Sequence, residues 1–295
     1  MLIAGPTASG KSALALARAR EMDGIVVNAD ALQVYDGLRV LTARPGPAEL
    51  AEAPHRLYGF VDPSERFSTG AWAAAAAATI AEAEGRPLIF AGGTGLYFEA
   101  LLAGIAEVPP IPAEAVAAAE SELAGLDAEG RRRLLAARDP EMAARLKAPD
   151  PQRVARALAV IAAPGRSLAS FQDAPQRGLL EGFEVERIVL SPDREVVRQR
   201  IAVRFARMLE EGAIEEVEAL LRRGLDPTLP AMKAIGVPEI SAWLHGEISR
   251  DEAVLRAVTA TRQYAKRQRT WFRARMADWC WTEDGMVAAA RQGSL

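Results

Sequence analysis

Gly5-Pro6-Thr7-Ala8-Ser9-Gly10-Lys11-Ser12 fits the phosphate-loop pattern G-x-x-x-x-G-K-[ST] at every fixed position. The flanks agree: Leu2-Ile3-Ala4 is a short apolar strand entering the loop, and residues 12–18 read as a helix leaving it. Glycines let backbone N–H groups converge on phosphate oxygens, the helix N-terminus adds partial positive charge, and Lys11 adds a full one. Ser12 is placed to hold a Mg2+ ion that bridges the same phosphates. An ordinary Gly-rich turn has no need of strand, Lys, Ser and helix in this register. The segment is a phosphate site. Whether it holds a nucleoside triphosphate or the diphosphate of another donor is open at this point.

Working outward, short apolar strands alternate with helices through the first third of the chain, as in a parallel sheet covered on both faces. Residues 24–27 form a second strand, and Asn28 to Gln33 lie at its carboxyl end, where open α/β sheets bind ligands. Residues 67–83 read as a helix. Residues 87–91 form a third strand running into Gly92-Gly93-Thr94-Gly95. The pattern then changes. Prolines at 109, 110 and 112 precede helical segments rich in Ala, Arg and Glu, broken at Asp139-Pro140 and at Pro149-Asp150-Pro151. Residues 183–190 restore a strand, two amphipathic helices follow over 194–211 and 213–223, and a long helix covers 250–275. Residues 279–282 read as a last strand, and the final dozen residues are expected to fray. The expected architecture is an α/β, P-loop NTPase-like parallel sheet flanked by helices, with an all-helical insertion. The core spans 1–107 and 179–295, and the insertion 108–178.

Half of the 295 residues are hydrophobic and a quarter are charged, which suits a folded protein with a full core. The formal net charge of −3 conceals a local excess: residues 262–275 carry six basic side chains and no acidic one. Cys280 is the only cysteine and His55 and His245 the only histidines, so neither a disulfide nor a cysteine- or histidine-rich metal cluster is expected. No apolar run reaches the roughly 20 residues of a membrane span, and because the chain opens on the loop strand no signal peptide is expected. A cytoplasmic monomer is the expectation.

Several side chains are candidates for chemistry. Asp30 is placed to act as a general base against the phosphate-loop ligand, or simply to cap a turn. Gln33 offers an amide that suits the paired donor and acceptor of an adenine edge. Thr94 stands between glycines at the same crevice. Arg200 and Arg204, four apart, share a helix face and suit a departing diphosphate if they turn inward. Lys266-Arg267-Gln268-Arg269-Thr270-Trp271-Phe272-Arg273 interleaves basic and aromatic residues, as an RNA backbone with unstacked bases requires. Kinases with this loop place an acidic metal partner at the end of a buried strand, whereas residues 88–91 end in Gly92-Gly93-Thr94. That weakens the kinase reading.

Together these blocks resemble one family, the tRNA dimethylallyltransferases, which prenylate adenosine 37 beside the anticodon. The resemblance runs from Leu2 to about Trp281. It rests on the phosphate loop, Asn28-Ala29-Asp30-Ala31-Leu32-Gln33-Val34-Tyr35, Thr42-Ala43-Arg44-Pro45, Gly92-Gly93-Thr94-Gly95-Leu96-Tyr97, the run from Asp150 to Leu158, the run from Arg204 to Gly212, and the run from Thr261 to Arg273. The loop alone is unspecific; its combination with the others is highly specific.

The resemblance implies that residues 5–12 (Gly5, Pro6, Thr7, Ala8, Ser9, Gly10, Lys11, Ser12) hold the diphosphate of dimethylallyl diphosphate, with Mg2+ near Ser12. Arg200 joins this diphosphate site. Asp30 would take the proton from N6 of the target adenine, Gln33 would hold the flipped base, and Thr94 and Arg204 would face the reacting groups. Contacts to tRNA are implied for Asp30, Ala31, Leu32, Gln33, Thr94, Gln152, Arg153, Arg156, Lys233, Lys266, Arg267, Gln268, Arg269, Trp271 and Arg273, with the helical insertion gripping the anticodon stem-loop. Three departures stand out: Ala31 where the family usually has Ser, Arg44 where it has Lys, and Val237-Pro238 where it has Tyr and Arg. Rival readings are a small-metabolite kinase, a prenyltransferase acting on free adenine nucleotides, and a non-catalytic tRNA-binding protein.

Overall fold

Strands buried on both faces read as continuous runs of Val, Ile and Leu, and such runs organise the chain. The computed structural model describes residues 1–284. In it, β1 (Leu2–Ala4) leads to α1 (Lys11–Met22), and β2 (Ile25–Asn28) to α2 (Pro47–Glu52). The two-residue strand β3 (His55–Arg56), α3 (Thr69–Ala81), β4 (Leu88–Gly92) and α4 (Gly95–Leu102) follow. Next come the helices α5 (Ala113–Leu123), α6 (Ala128–Arg138), α7 (Pro140–Arg145), α8 (Pro151–Ala162) and α9 (Leu168–Asp173). The remaining elements are β5 (Arg187–Leu190), α10 (Arg194–Glu210), α11 (Ala213–Arg222), α12 (Val237–Leu244), α13 (Arg250–Arg275) and β6 (Cys280–Thr282). The strands pair in parallel in the order β3-β2-β4-β1-β5-β6. The phosphate loop therefore leaves an interior strand, with β4 and β5 on either side.

Successive strand residues face opposite sides of the sheet. Ile3, Val26, Ile89 and Leu190 pack with Leu14, Ala15 and Ala19 of α1. Phe90, one residue on from Ile89, meets the edge of Trp72 from α3, and Trp72 stacks on Tyr97 at 4.0 Å. Each of these fully buried large side chains contributes about 1.5–3 kcal/mol. The expected strand over 183–190 is shorter than its apolar pattern suggested: Phe183 is exposed and closes a turn onto Leu180, and pairing starts at Arg187. Helix α12 was not evident in the sequence. It starts at Val237-Pro238, where proline at the first turn forfeits no helical hydrogen bond.

The chain forms two compact units, Met1–Leu101 with the chain from Leu180 onward, and Leu102–Leu179. The second is helical, and its core gathers Leu123, Leu135, Met142, Val154 and Leu158. The two Asp-Pro breaks seen in the sequence are helix starts. Asp139 accepts the Met142 amide at 3.0 Å and Asp150 accepts the Arg153 amide at 3.0 Å, each with proline at the next position. Asp139 is wholly buried, and its second oxygen accepts the Ser167 hydroxyl at 3.0 Å. Among the described residues no helix is long and apolar enough to cross a membrane. Nearly all of the terminal segment expected to fray lies outside the described residues. Because Asp139→Ala strands a buried hydroxyl and uncaps a helix, it should lower stability in denaturant unfolding by about 2 kcal/mol. Asp127→Ala, at an exposed cap, should cost no more than about 1 kcal/mol.

Candidate active site

The phosphate loop takes its shape from backbone positions that few side chains tolerate. Gly10 has φ +98° and Ala8 φ +62°. A Cβ on Gly5 would stand 2.6 Å from the Leu190 carbonyl oxygen and 2.7 Å from Ser9 Oγ, so only glycine lets the loop pass this close to β5. The amides of Lys11 and Ser12 open α1 and have no carbonyl a turn earlier to serve, which leaves them for an anion. The Lys11 ammonium lies 3.5 Å from the Pro6 carbonyl. Loss of hydration brings its pKa down to about 8, with Arg204 adding to the shift and Asp30 opposing it.

Helix α10 supplies two further cations. Arg200 donates to the Ser9 carbonyl at 3.3 Å, and Arg204 donates to Thr7 Oγ1 at 2.5 Å. Arg204 is thus half-buried against the loop, while Arg200 reaches it from an exposed position. Burial pulls Arg204 below its ordinary range and Asp30 pushes it back.

The carboxyl end of β2 holds Asp30 in a braced turn. Asn28 accepts the Asp30 amide at 2.8 Å and donates to the Asp30 carbonyl at 2.9 Å; the buried Trp72 indole fixes the Asn28 carbonyl at 3.0 Å. Asp30 Oδ1 accepts the Leu32 amide at 3.1 Å. Across the crevice, Thr94 Oγ1 accepts the Ala31 amide at 2.9 Å. Thr94 therefore pins the Asp30 turn. Gln33 behaves differently from expectation: its amide nitrogen is committed to the Thr42 and Ala43 carbonyls at 2.8 and 3.0 Å. Only its oxygen is left for a base.

Thr7, Asp30 and Arg204 line the polar end of a cleft whose walls are Leu41, Phe205 and Met208. These apolar residues carried no signal in the sequence, since a lone Leu, Phe or Met on a helix or loop reads as core. Asn28 stood in the quoted motif without a role of its own, although an Asn two residues before a candidate base is a recurrent turn device. Among the described residues no three His, Cys, Asp or Glu gather as a metal site.

Helix α13 distributes its basic run over several faces. Arg262, Lys266, Arg269 and Arg273 share one face and, with Arg194 and Arg198 of α10, line a groove of about 510 Å³ that reaches the loop at Pro6. Lys266, Arg267 and Arg273 are exposed, while Arg269 is buried and donates to the Pro192 carbonyl. Gln268 is 5% exposed and turns into the core. Trp271 packs flat over Gly95, where a Cβ would overlap its ring. Lys233 is exposed at the end of a short turn of 3-10 helix. Gln152, Arg153 and Arg156 are exposed on α8 of the helical unit.

Loop, braced carboxylate and two arginines reaching the loop define a P-loop protein of the group-transfer class, with loop and cleft on one sheet edge. Residues 33–275 match the IPP transferase family. The chain is 53% identical over 285 residues to the tRNA dimethylallyltransferase of Methylobacterium sp. (strain 4-46), covering 95% of this chain and 93% of that one. It is 54% identical over 282 residues to that of Chelativorans sp. (strain BNC1), covering 94% and 96%. Among solved structures, the full-length tRNA isopentenylpyrophosphate transferase of Bacillus halodurans superposes with a TM-score of 0.66 at 31% identity, covering 95% of this chain and 88% of that one. A eukaryotic dimethylallyltransferase acting on tRNA superposes with a TM-score of 0.76 at 26% identity, covering 92% and 69%. The chain belongs to the tRNA dimethylallyltransferase family, and it is an enzyme of tRNA prenyl transfer. The kinase reading falls away. A preorganised cation at a leaving group is worth on the order of 10²-fold or more in rate, so Arg204→Ala should lower kcat by that factor in a prenyl-transfer assay.

Proposed function

We propose that this enzyme transfers the dimethylallyl group of dimethylallyl diphosphate to N6 of adenosine 37 in tRNA. The observation that carries the reading is the cleft itself, with Thr7 and Arg204 at its polar end, a carboxylate at Asp30 and an apolar wall at Leu41, Phe205 and Met208. A donor made of a diphosphate and a short hydrocarbon needs both halves. A phosphoryl donor has no use for the wall.

In the proposed step, the N6 lone pair attacks the first carbon of the prenyl chain as the bond from that carbon to the diphosphate oxygen breaks. The oxygen keeps the electron pair, and Lys11, Arg204 and the loop amides neutralise the charge that develops on it. Asp30 accepts the N6 proton. Arg200 holds the loop beside the same anion, Gln33 offers its oxygen to the base, and Thr94 keeps the Asp30 turn in place. Mg2+ fits this donor set, because the exposed Ser12 hydroxyl is a hard oxygen ligand at the mouth of the anion seat. With no acidic cluster beside it, the ion would be held mainly by the diphosphate; when bound it supplies further charge neutralisation.

The acceptor is read as an anticodon stem-loop. Extraction of a base from a loop costs a few kcal/mol, and phosphate contacts must offset it. Lys266, Arg267 and Arg273 of α13, Lys233, and Gln152, Arg153 and Arg156 of the helical unit are the exposed candidates for those contacts. With tRNA as acceptor, the cytoplasm is the compartment of the reaction.

Two outcomes test the reading. Asp30→Ala should slow a single turnover on a stem-loop bearing adenosine 37 by roughly 10² or more while RNA affinity changes little; an unchanged rate would remove Asp30 from the chemistry. Binding should weaken as salt rises, and Lys266→Ala and Arg273→Ala should each flatten the log–log slope by about one unit. Equal slopes in the variants and the parent protein would mean that α13 presents a merely solvated face.

A further inference from the structure

Gln268 sits in the middle of the most basic stretch of the chain, yet its side chain points away from solvent. Its Oε1 accepts the Thr7 amide at 2.8 Å, and its Nε2 donates to the Gly93 carbonyl at 2.9 Å. Only one orientation of the amide satisfies both partners, because Thr7 offers a donor and Gly93 an acceptor. The turn is shaped to receive it: a Cβ on Gly93 would overlap the Gln268 nitrogen. The neighbours Lys266 and Arg267 are exposed, so the inward turn belongs to this residue and not to the whole segment.

From these contacts we infer that Gln268 is a positioning residue that locks the phosphate loop to the Gly93-Thr94 turn, and that it is not an RNA contact. The consequence runs through named bonds. Thr7 is held at its amide by Gln268 and at its hydroxyl by Arg204, so its own N–H faces away from the anion and the rest of the loop is fixed around it. On the other side, Gly93 is joined to Thr94, whose Oγ1 holds the Ala31 amide next to Asp30. One amide thereby sets the distance between the anion seat and the carboxylate. The inference rests on the reading above, in which a diphosphate leaves at the loop while Asp30 takes a proton.

The test uses the full chain with Gln268→Met, which keeps the length and removes both hydrogen bonds. Three quantities are measured: affinity for inorganic diphosphate with Mg2+ by calorimetry, affinity for the stem-loop, and the single-turnover rate at saturating donor. Diphosphate affinity should fall on the order of tenfold and the rate by at least as much, since two buried hydrogen bonds are lost. Stem-loop affinity should stay within about twofold, a split that a generally loosened fold would not produce. Gly93→Ala leaves Gln268 in place but displaces its amide, so it must reproduce the same split; this second variant decides the matter if the first does not fold. Unchanged diphosphate affinity and rate in either folded variant, or a loss confined to RNA affinity, would overturn the inference. Absence of diphosphate binding in the unsubstituted protein would instead overturn the donor assignment, and this inference with it.

Discussion

Gly92 at the end of β4 and Ala29 at the end of β2 meet backbone to backbone, and the site depends on that contact. A Cβ on Gly92 would fall on the Ala29 carbonyl. The Ala29 amide bonds the Ala91 carbonyl at 2.9 Å, and the Thr94 amide bonds the Ala29 carbonyl at 3.1 Å. Two chain segments sixty residues apart are thereby fixed within one hydrogen bond of each other, which is how Thr94 reaches the Asp30 turn. Gly5 does the same between β1 and β5. The carboxyl edge of the sheet is rigid because glycines let backbones approach where side chains would hold them apart.

Onto this frame the chain assembles more positive than negative charge. Lys11, Arg200 and Arg204 converge on the loop, and Asp30 is the anion whose field is felt by Lys11 and Arg204. Lys11 and Arg204, partly withdrawn from water, each carry a desolvation penalty unless a counter-charge arrives, whereas Arg200 is exposed. Loss of hydration lowers the Lys11 pKa to about 8. The arrangement is therefore complementary to a multiply charged anion, and on the proposed reading that anion is the departing diphosphate, which gains charge as its ester bond breaks.

What was legible in the sequence was whatever is encoded locally. The phosphate loop is contiguous, β1 and β4 are short apolar runs with glycine after them, and α13 matches its expected span from Arg250 to Arg275. What stayed hidden was direction. Arg200 and Arg204 share a helix with Arg194, Arg198 and Arg207, and nothing in the spacing tells which arginines turn toward the loop. Lys266 to Arg273 reads as one RNA-binding word, but at about 100° per residue it divides among a groove, a core and solvent. Gln33 likewise had the right chemistry for an adenine, while the carbonyls that occupy its nitrogen come from a loop ten residues on. Val237-Pro238, a departure from the family pattern, opens a helix, whose first turn accepts proline.

The absence of an acidic residue after β4 follows from the same packing. Phosphate-loop hydrolases and kinases place a carboxylate near this edge to hold their metal. Here the turn is Gly93-Thr94, and the volume a side chain on Gly93 would fill is taken by Gln268 from α13. A carboxylate there would also stand beside Asp30, whose Oδ2 lies 3.1 Å from the same point. Two anions so close would repel each other, to the detriment of the base role proposed for Asp30. A phosphate loop that serves carbon–nitrogen bond formation thus favours a neutral amide where a phosphoryl-transfer enzyme has use for a charge, and the glycine that looks like an omission in the sequence is what admits it.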